Sequence, residues 1–308
     1  MSTPLRPMST GEILDRTFNL YRNNFVLFAG IAMLPPALML VVQLIQAGMV
    51  ATPGHPRAAG VGLTAAGGFG VIVGWLAYLV GLAVAHAATV FAVSAVHLER
   101  ATTIGESYGR VRGRYGRVVW VLAQTWLRAF WPMVLIIIIA SFMVAALGGK
   151  GAGPAVVMVL GIVGGGILGL VLYLRYALAI AACVLEDIKA SAAIKRSVTL
   201  SAGSRGQIFV IYFLMVVINY IVALVFLFPA TWLAALLAKG SPSIRILFAG
   251  LAGFLAGALA GPIATIALSL VYFDQRVRKE AFDIQLMVAA LDGTPLVAGA
   301  QSAGISAG

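Results

Sequence analysis

Polar side chains that interrupt long apolar stretches are the first candidates for chemistry in this sequence. An ionisable side chain inside hydrocarbon is costly, which makes each one a candidate functional residue. At about 1.5 Å per helical residue, a count of about twenty residues from the outer ends places the arginines near the inner boundary of the apolar layer. Either they extend into the headgroup region as structural side chains, or they bind an anion or a phospholipid headgroup. The predicted anion pocket consists of Arg128, Arg175 and His86, and the other embedded polar residues are Gln124 and Asn219.

Carboxylates that close every second apolar stretch form another candidate set. A helix C-terminus disfavours negative charge, so these acids need basic partners. Arginines occupy equivalent places in the basic connecting segments and are the obvious partners. We predict three arginine–carboxylate clamps at one membrane face, and the alternative is six solvated charges without partners. The residues concerned are Arg16, Arg110 and Arg196 with Glu99, Glu186 and Asp274.

Motifs of known enzymes are missing from the sequence. It contains no HExxH or Walker A pattern, and its three histidines and single cysteine, Cys183, have no plausible zinc spacing. The apolar stretches hold no Asp or Glu, which argues against proton- or sodium-coupled transport. We therefore predict a protein that is not an enzyme, with no metal and no cofactor.

The elements that position these residues must be membrane-spanning helices. Hydrophobic residues make up 61% of the 308 residues and charged ones only 10%, against about 45–50% and about 25% in soluble domains. This composition excludes a soluble enzyme, a disordered protein and a secreted disulfide scaffold. The predicted fold is all-α with six transmembrane helices, at Phe25–Val50, Leu63–Leu98, Val118–Leu147, Pro154–Leu185, Gln207–Ala238 and Ile244–Phe273.

Charge predicts the orientation of these helices. Most Lys and Arg residues fall before the first helix, in the connections after the second and fourth helices, and after the sixth. The positive-inside rule therefore places both termini in the cytoplasm, and we predict a multi-pass protein of the bacterial inner membrane. The net charge of +11 favours anionic lipids as partners over nucleic acid.

A repeat of about 90 residues organises the chain. The segment Gly11–Arg16 recurs as Gly105–Arg110, and more weakly as Ser191–Arg196. Each repeat predicts a short amphipathic basic helix followed by a hairpin of a bulky helix and a glycine-striped helix. The predicted boundaries are about 9–100, 101–188 and 189–283, within one membrane domain at 1–291 and before a disordered tail at 292–308.

Glycine and proline occupy fixed places in each repeat. Glycines four residues apart let helix backbones approach closely in lipid, so the second, fourth and sixth helices are expected at the centre of the bundle. The bulky first, third and fifth helices are expected to face lipid. Each of those carries proline, which predicts kinks or breaks at Pro35-Pro36, Pro132 and Pro229.

Three segments carry a resemblance to a known family: Ser9–Arg22, Glu186–Gly206 and, most specifically, Tyr272–Asp283. They resemble a bacterial family described as glycerophosphoryl diester phosphodiesterase membrane domains. The resemblance implies a helical inner-membrane protein. Hydrolase activity in proteins of that name belongs to a separate barrel domain with a His-Arg-Gly and acidic metal-binding motif, which this chain lacks. The resemblance therefore does not imply catalysis.

Two functions are consistent with these features. The first is a non-catalytic scaffold or accessory protein that contacts a protein partner at the cytoplasmic face, through the basic connectors and Tyr272–Asp283. The second is a permease or lipid-handling protein with an anion pocket at the inner leaflet. A bundle without a cavity between the glycine-striped helices would favour the scaffold, whereas a polar cavity that reaches Arg175 would favour the lipid-handling protein.

Overall fold

Most of the described part of the chain is helical. The structure is a computed structural model that describes residues 7–51, 65–146, 148, 152–237 and 241–280. The described part contains no β-strand, which confirms the predicted all-α class. The predicted tail at 292–308 and the end of the Tyr272–Asp283 segment lie outside these residues. The helices are α1 (Thr10–Asn23), α2 (Phe25–Ala32), α3 (Leu34–Ala51), α4 (Ala65–His97), α5 (Ile104–Val111), α6 (Tyr115–Ala146), α7 (Ala152–Tyr176), α8 (Ala179–Leu185), α9 (Ala190–Ser201), α10 (Arg205–Leu237) and α11 (Pro242–Glu280).

Several of these helices are long and apolar enough to cross a membrane. Five spans are both long enough and apolar enough within the described residues. The consecutive helices α2 and α3 make a sixth span if the two helices are counted as one broken span. The chain therefore has the helices of a multi-pass membrane protein. The five spans are Gly70–His97, Tyr115–Ala146, Ala152–Leu185, Arg205–Leu237 and Pro242–Glu280.

The first predicted span is broken rather than continuous. Helices α2 and α3 meet at Met33 with a bend of 43°. Pro35 and Pro36 have no N–H to donate to the carbonyl groups four residues earlier, so the helical hydrogen-bond ladder is interrupted there. The kink predicted at this proline pair is therefore confirmed. By contrast, α6 and α10 continue through Pro132 and Pro229 without a break.

Short polar helices begin with side-chain caps that the sequence encodes locally. The Ser9 hydroxyl accepts from the Glu12 backbone N–H at 3.2 Å, and the Glu12 carboxylate accepts from the Ser9 N–H at 2.7 Å. Thr103 and Glu106 make the same reciprocal pair at the start of α5. These capping boxes fix where α1 and α5 start. Helix α9 starts after Lys189 without a side-chain cap.

The described chain divides into two compact units. Unit 1 comprises residues 116–209 and 271–280, and unit 2 comprises residues 8–115 and 210–270. Glycines set the helix contacts in each unit. In unit 2, a Cβ on Gly74 of α4 would lie 2.6 Å from a methyl group of Val42, and one on Gly257 of α11 would lie 3.1 Å from Pro36. Helix α3 is thus in close contact with the glycine faces of α4 and α11.

In unit 1, glycines of α7, the second glycine-striped helix along the chain, also permit close helix contacts. A Cβ on Gly161 of α7 would lie 2.7 Å from the Ala140 methyl group, and one on Gly165 would lie 3.3 Å from the backbone of Met133. These contacts hold α7 against α6. These four of the glycines predicted to permit close approach, two in each unit, therefore contact a bulky helix, whereas a Cβ on Gly70 or Gly253 would meet nothing within 4 Å.

Burial of the glycine-striped helices is uneven. The most apolar stretch is 56% buried in α4 and 61% buried in α11, as expected for central helices. The span formed by α7 and α8 is only 17% buried, close to the 11% of α6. The expected central position is therefore wrong for α7. Its glycines contact one neighbour, and side chains such as Val159, Leu160 and Ile167 are exposed.

Candidate functional sites

Unit 2 encloses a cavity of about 350 Å³ between α3, α4 and α11. Most of its lining is apolar, with contributions from Leu82 and Phe254. Among the residues that the structure describes, no arginine, lysine, aspartate or glutamate lines it. The polar side chains at its wall come from four helices, and His86 is the one of them that can take up a positive charge. They are Gln43, Trp75, Tyr78, His86, Thr89, Asn219 and Thr265.

A gap in the α3–α11 contact contributes to this cavity. Gly250 packs against the Gln43 amide and Gly257 packs against Pro36. Gly253 lies between them in sequence and also lines the cavity, but a Cβ on Gly253 would meet nothing within 4 Å. The helices are therefore in contact on both sides of Gly253 and leave open space beside it.

The polar groups at the cavity differ in how they are satisfied. The Asn219 amide donates to the Met215 carbonyl at 2.9 Å, and the Thr89 hydroxyl donates to the Ala85 carbonyl at 2.8 Å. The Oε1 atom of Gln43 is buried without a hydrogen-bond partner among the described residues. An unsatisfied buried acceptor is costly and indicates a site where a ligand or water can bind.

Of the three residues of the predicted anion pocket, His86 is the one that lines this cavity among the described residues. Neither Arg128 nor Arg175 is part of that described lining. Arg128 is an exposed residue of α6 in unit 1. Arg175 is half-buried, with its Nε atom buried and lacking a partner in the part of the chain that is described. The cavity in unit 2 therefore has none of the positive charge that the anion pocket required.

Unit 1 contains an ion network that links the C-terminal end of α8 with α9 and with the last turns of α11. The Arg196 guanidinium donates to both carboxylate oxygens of Glu186 at 2.9 and 3.0 Å and forms a second ion pair with Glu280. The Tyr272 hydroxyl donates to Glu186 at 2.6 Å. Arg276 pairs with Glu280 at 3.2 Å. Burial lowers the pKa of Arg196, but the two carboxylates outweigh burial and raise it overall.

Lys279 satisfies the C-terminal end of α9. Its ammonium group donates to the carbonyl oxygens of Thr199, Leu200 and Ala202 at 3.0, 2.8 and 2.6 Å. These carbonyls lie at the helix end, where they lack intrahelical partners and the helix dipole attracts a cation. The end of α11 is thus fixed to α9 by Lys279 as well as by the ion network.

The six residues of the predicted clamps are only partly brought together. Arg196 and Glu186 form the ion pair described above. Asp274, which is 1% exposed, pairs with Arg278 of its own helix at 2.8 Å. Within the described chain, Glu99 forms no ion pair with Arg16 or Arg110. The sequence also did not predict the ion pairs of Glu280 or the hydrogen bonds of Lys279. The four-residue spacing of Arg276 and Glu280 is a local signal for the ion pair between those two residues.

Comparison with known proteins assigns no function to these sites. The chain matches no family model, no curated protein and no solved structure. The resemblance to glycerophosphoryl diester phosphodiesterase membrane domains therefore stays a prediction. Among the described residues, no group of three His, Cys, Asp or Glu side chains is placed to hold a metal ion.

Proposed function

We propose that this chain is a non-catalytic, multi-pass protein of the bacterial inner membrane that binds a lipid in the cavity of unit 2. Both termini lie in the cytoplasm, and the bent pair α2–α3 is the first of six spans arranged as three repeated hairpins. The three short helices α1, α5 and α9 precede these hairpins, and their basic side chains contact anionic headgroups. The three segments that resemble glycerophosphoryl diester phosphodiesterase membrane domains support a relation to that family as part of this proposal.

The cavity is the observation that carries the lipid-binding function. A bundle that only scaffolds partners needs no space between its glycine-striped helices, yet α4 and α11 both line a cavity of about 350 Å³. Ligand pockets are concave and mostly apolar, with a few polar groups that orient the ligand. The lining of this cavity has that composition.

Lipid retained during purification tests this proposal. Gly253→Leu adds a side chain where a Cβ meets open space beside the cavity. Gly164→Leu is the matched control, because Gly164 is an exposed helical glycine of unit 1 with nothing within 4 Å of its Cβ position. We expect mass spectrometry to find a lipid that co-purifies with the unmodified chain and with the control but not with Gly253→Leu. Equal lipid content in all three proteins would refute the proposal.

A scaffold role at the cytoplasmic face is the second candidate, and the ion network of unit 1 supports it. Arg196, Glu186 and Glu280 hold the surface formed by α9 and the end of α11 in one arrangement. A fixed surface suits a partner that binds with little reorganisation. A photo-crosslinking residue at the exposed position Lys195 should give one adduct of defined mass in cells, and the same probe at Gly164 should give none. No adduct at position 195 would contradict the scaffold role.

A further inference from the structure

The chemistry of the cavity wall narrows the class of ligand. Resting on the proposed lipid-binding function, we infer that the cavity binds a single-chain lipid with a small uncharged hydroxyl head, held by the side chains of Gln43 and His86. This ligand differs from the anionic phospholipid headgroup, which belonged to one of the two alternatives that the sequence left open. Charge, volume and hydrogen-bonding capacity each support the inference.

Charge excludes an anionic head. The described part of the lining contains no arginine or lysine, and a phosphate inside it would be removed from water without a counter-charge. An isolated ion in a low-dielectric site is strongly disfavoured, whereas a neutral hydroxyl is accommodated once it is hydrogen-bonded. The arginines that could bind phosphate, Arg128 and Arg175, do not line the cavity.

Volume favours one acyl chain. Ligand pockets span about 300–1,000 Å³, and this cavity, at about 350 Å³, lies at the small end. A head and the first part of one chain fill such a space. A lipid with two chains and a large head needs more room.

Hydrogen-bonding capacity favours a hydroxyl. The Gln43 amide has a buried oxygen without a partner, and His86 has no hydrogen bond among the described residues. An amide and an imidazole together offer donors and acceptors. A hydroxyl both donates and accepts, so one small head can satisfy groups of both kinds on α3 and α4.

Two lipids with the same chain but different heads test the ligand class. We would measure binding of monooleoylglycerol and of oleoyl-lysophosphatidylglycerol to the full chain in nanodiscs of uncharged lipid. The neutral lipid should bind at least tenfold more tightly than the anionic one. Gly253→Leu should weaken binding of monooleoylglycerol at least tenfold, whereas Gly164→Leu should leave it within twofold.

Gln43→Leu gives a second variant of similar volume that removes only the polar group. It should weaken binding of the hydroxyl lipid about tenfold, the size expected for a lost hydrogen bond, and should leave binding of the anionic lipid unchanged. It also keeps the test decisive if Gly253→Leu fails to fold.

The outcomes separate the inference from the function on which it rests. If the anionic lipid binds as tightly as the neutral one and Gly253→Leu abolishes both, the cavity binds lipid but the inferred ligand class is wrong. If neither Gly253→Leu nor Gln43→Leu changes the binding of either lipid, both the inference and the proposed function are wrong.

Discussion

At the scale of single residues, Tyr108 satisfies a carbonyl group that proline leaves without its helical partner. Pro35 has no N–H, so the Ile31 carbonyl four residues earlier cannot accept the usual helical hydrogen bond. Ile31 is fully buried, and an unsatisfied carbonyl there would be costly. The Tyr108 hydroxyl of α5 donates to that carbonyl at 2.6 Å. A short polar helix thus stabilises the break in the first span.

A double-mutant cycle tests this compensation. We expect Tyr108→Phe to lower the free energy of unfolding by about 1–3 kcal/mol, because it leaves a buried acceptor unsatisfied. In a Pro35→Ala background the same substitution should cost less, because residue 35 then has an N–H for the Ile31 carbonyl. Unfolding in detergent, followed by circular dichroism, measures the four proteins. Equal costs in both backgrounds would contradict the coupling.

Alkaline titration gives an independent measure of the same hydroxyl. Burial, and then the nearby Tyr115, raise the pKa of Tyr108 from 10.0 to about 12. Because the folded-state pKa exceeds the unfolded one, this contribution to stability is complete below about pH 10 and is lost as the pH rises through about 12. Tyr108→Phe should therefore reduce the loss of stability over this interval, as measured by thermal unfolding at successive pH values. An unchanged pH dependence would rule out this role for Tyr108.

At the scale of helices, glycine spacing sets which faces meet. Glycines 161 and 165 of α7 contact α6 closely, whereas Gly164 of the same helix is exposed and meets nothing within 4 Å. Neighbouring glycines of one helix thus have opposite roles. The contact glycines permit close packing, and the others only lower helix propensity.

Alanine substitutions distinguish the two roles. We expect Gly161→Ala to destabilise the protein by about 1–3 kcal/mol, because the new methyl group would lie 2.7 Å from the Ala140 methyl group and force the helices apart. Gly164→Ala should instead stabilise by about 0.5–1 kcal/mol through helix propensity. Thermal unfolding of both variants in the same detergent gives the comparison. Equal effects of the two substitutions would show that close approach is not needed at Gly161.

At the scale of the whole molecule, the proposed orientation of the six spans is the property on which the function depends. Cysteine labelling tests it in a Cys183→Ser background, which removes the buried native thiol. Gly113 and Gly203 have positive φ values of 85° and 81° and tolerate no other residue without strain. Their exposed neighbours Arg112 and Ala202 are the better sites for cysteine.

The labelling result is expected to differ between the two membrane faces. Arg112→Cys and Ala202→Cys should resist a membrane-impermeant maleimide in intact cells with a permeable outer membrane and react after lysis. Gly153→Cys, at the start of α7 near the opposite membrane face, should react in intact cells. Labelling of positions 112 or 202 from the periplasm would overturn the proposed topology.

Local features of the sequence determined the helical fold class, the apolar lengths that mark the spans and the break at Pro35-Pro36. These depend on residues within a few turns of one another, so composition and spacing are enough to predict them. The Ser9–Glu12 and Thr103–Glu106 capping boxes belong to the same group, because each links residues only three positions apart. The glycine stripes predicted close approach, but not which helix would fill each groove.

Only the tertiary structure decided which distant residues meet. Helix packing places Glu186 beside both Arg196 and Tyr272, the latter 86 residues away, whereas Glu99 forms no ion pair with Arg16 or Arg110 in the described part of the chain. It also places Gln43 and His86 at one cavity and excludes Arg175 from that lining. Such contacts depend on the rotation and depth of each helix relative to its neighbours. Those are set by the fit of side chains across the interface, and no periodicity within a single helix encodes them.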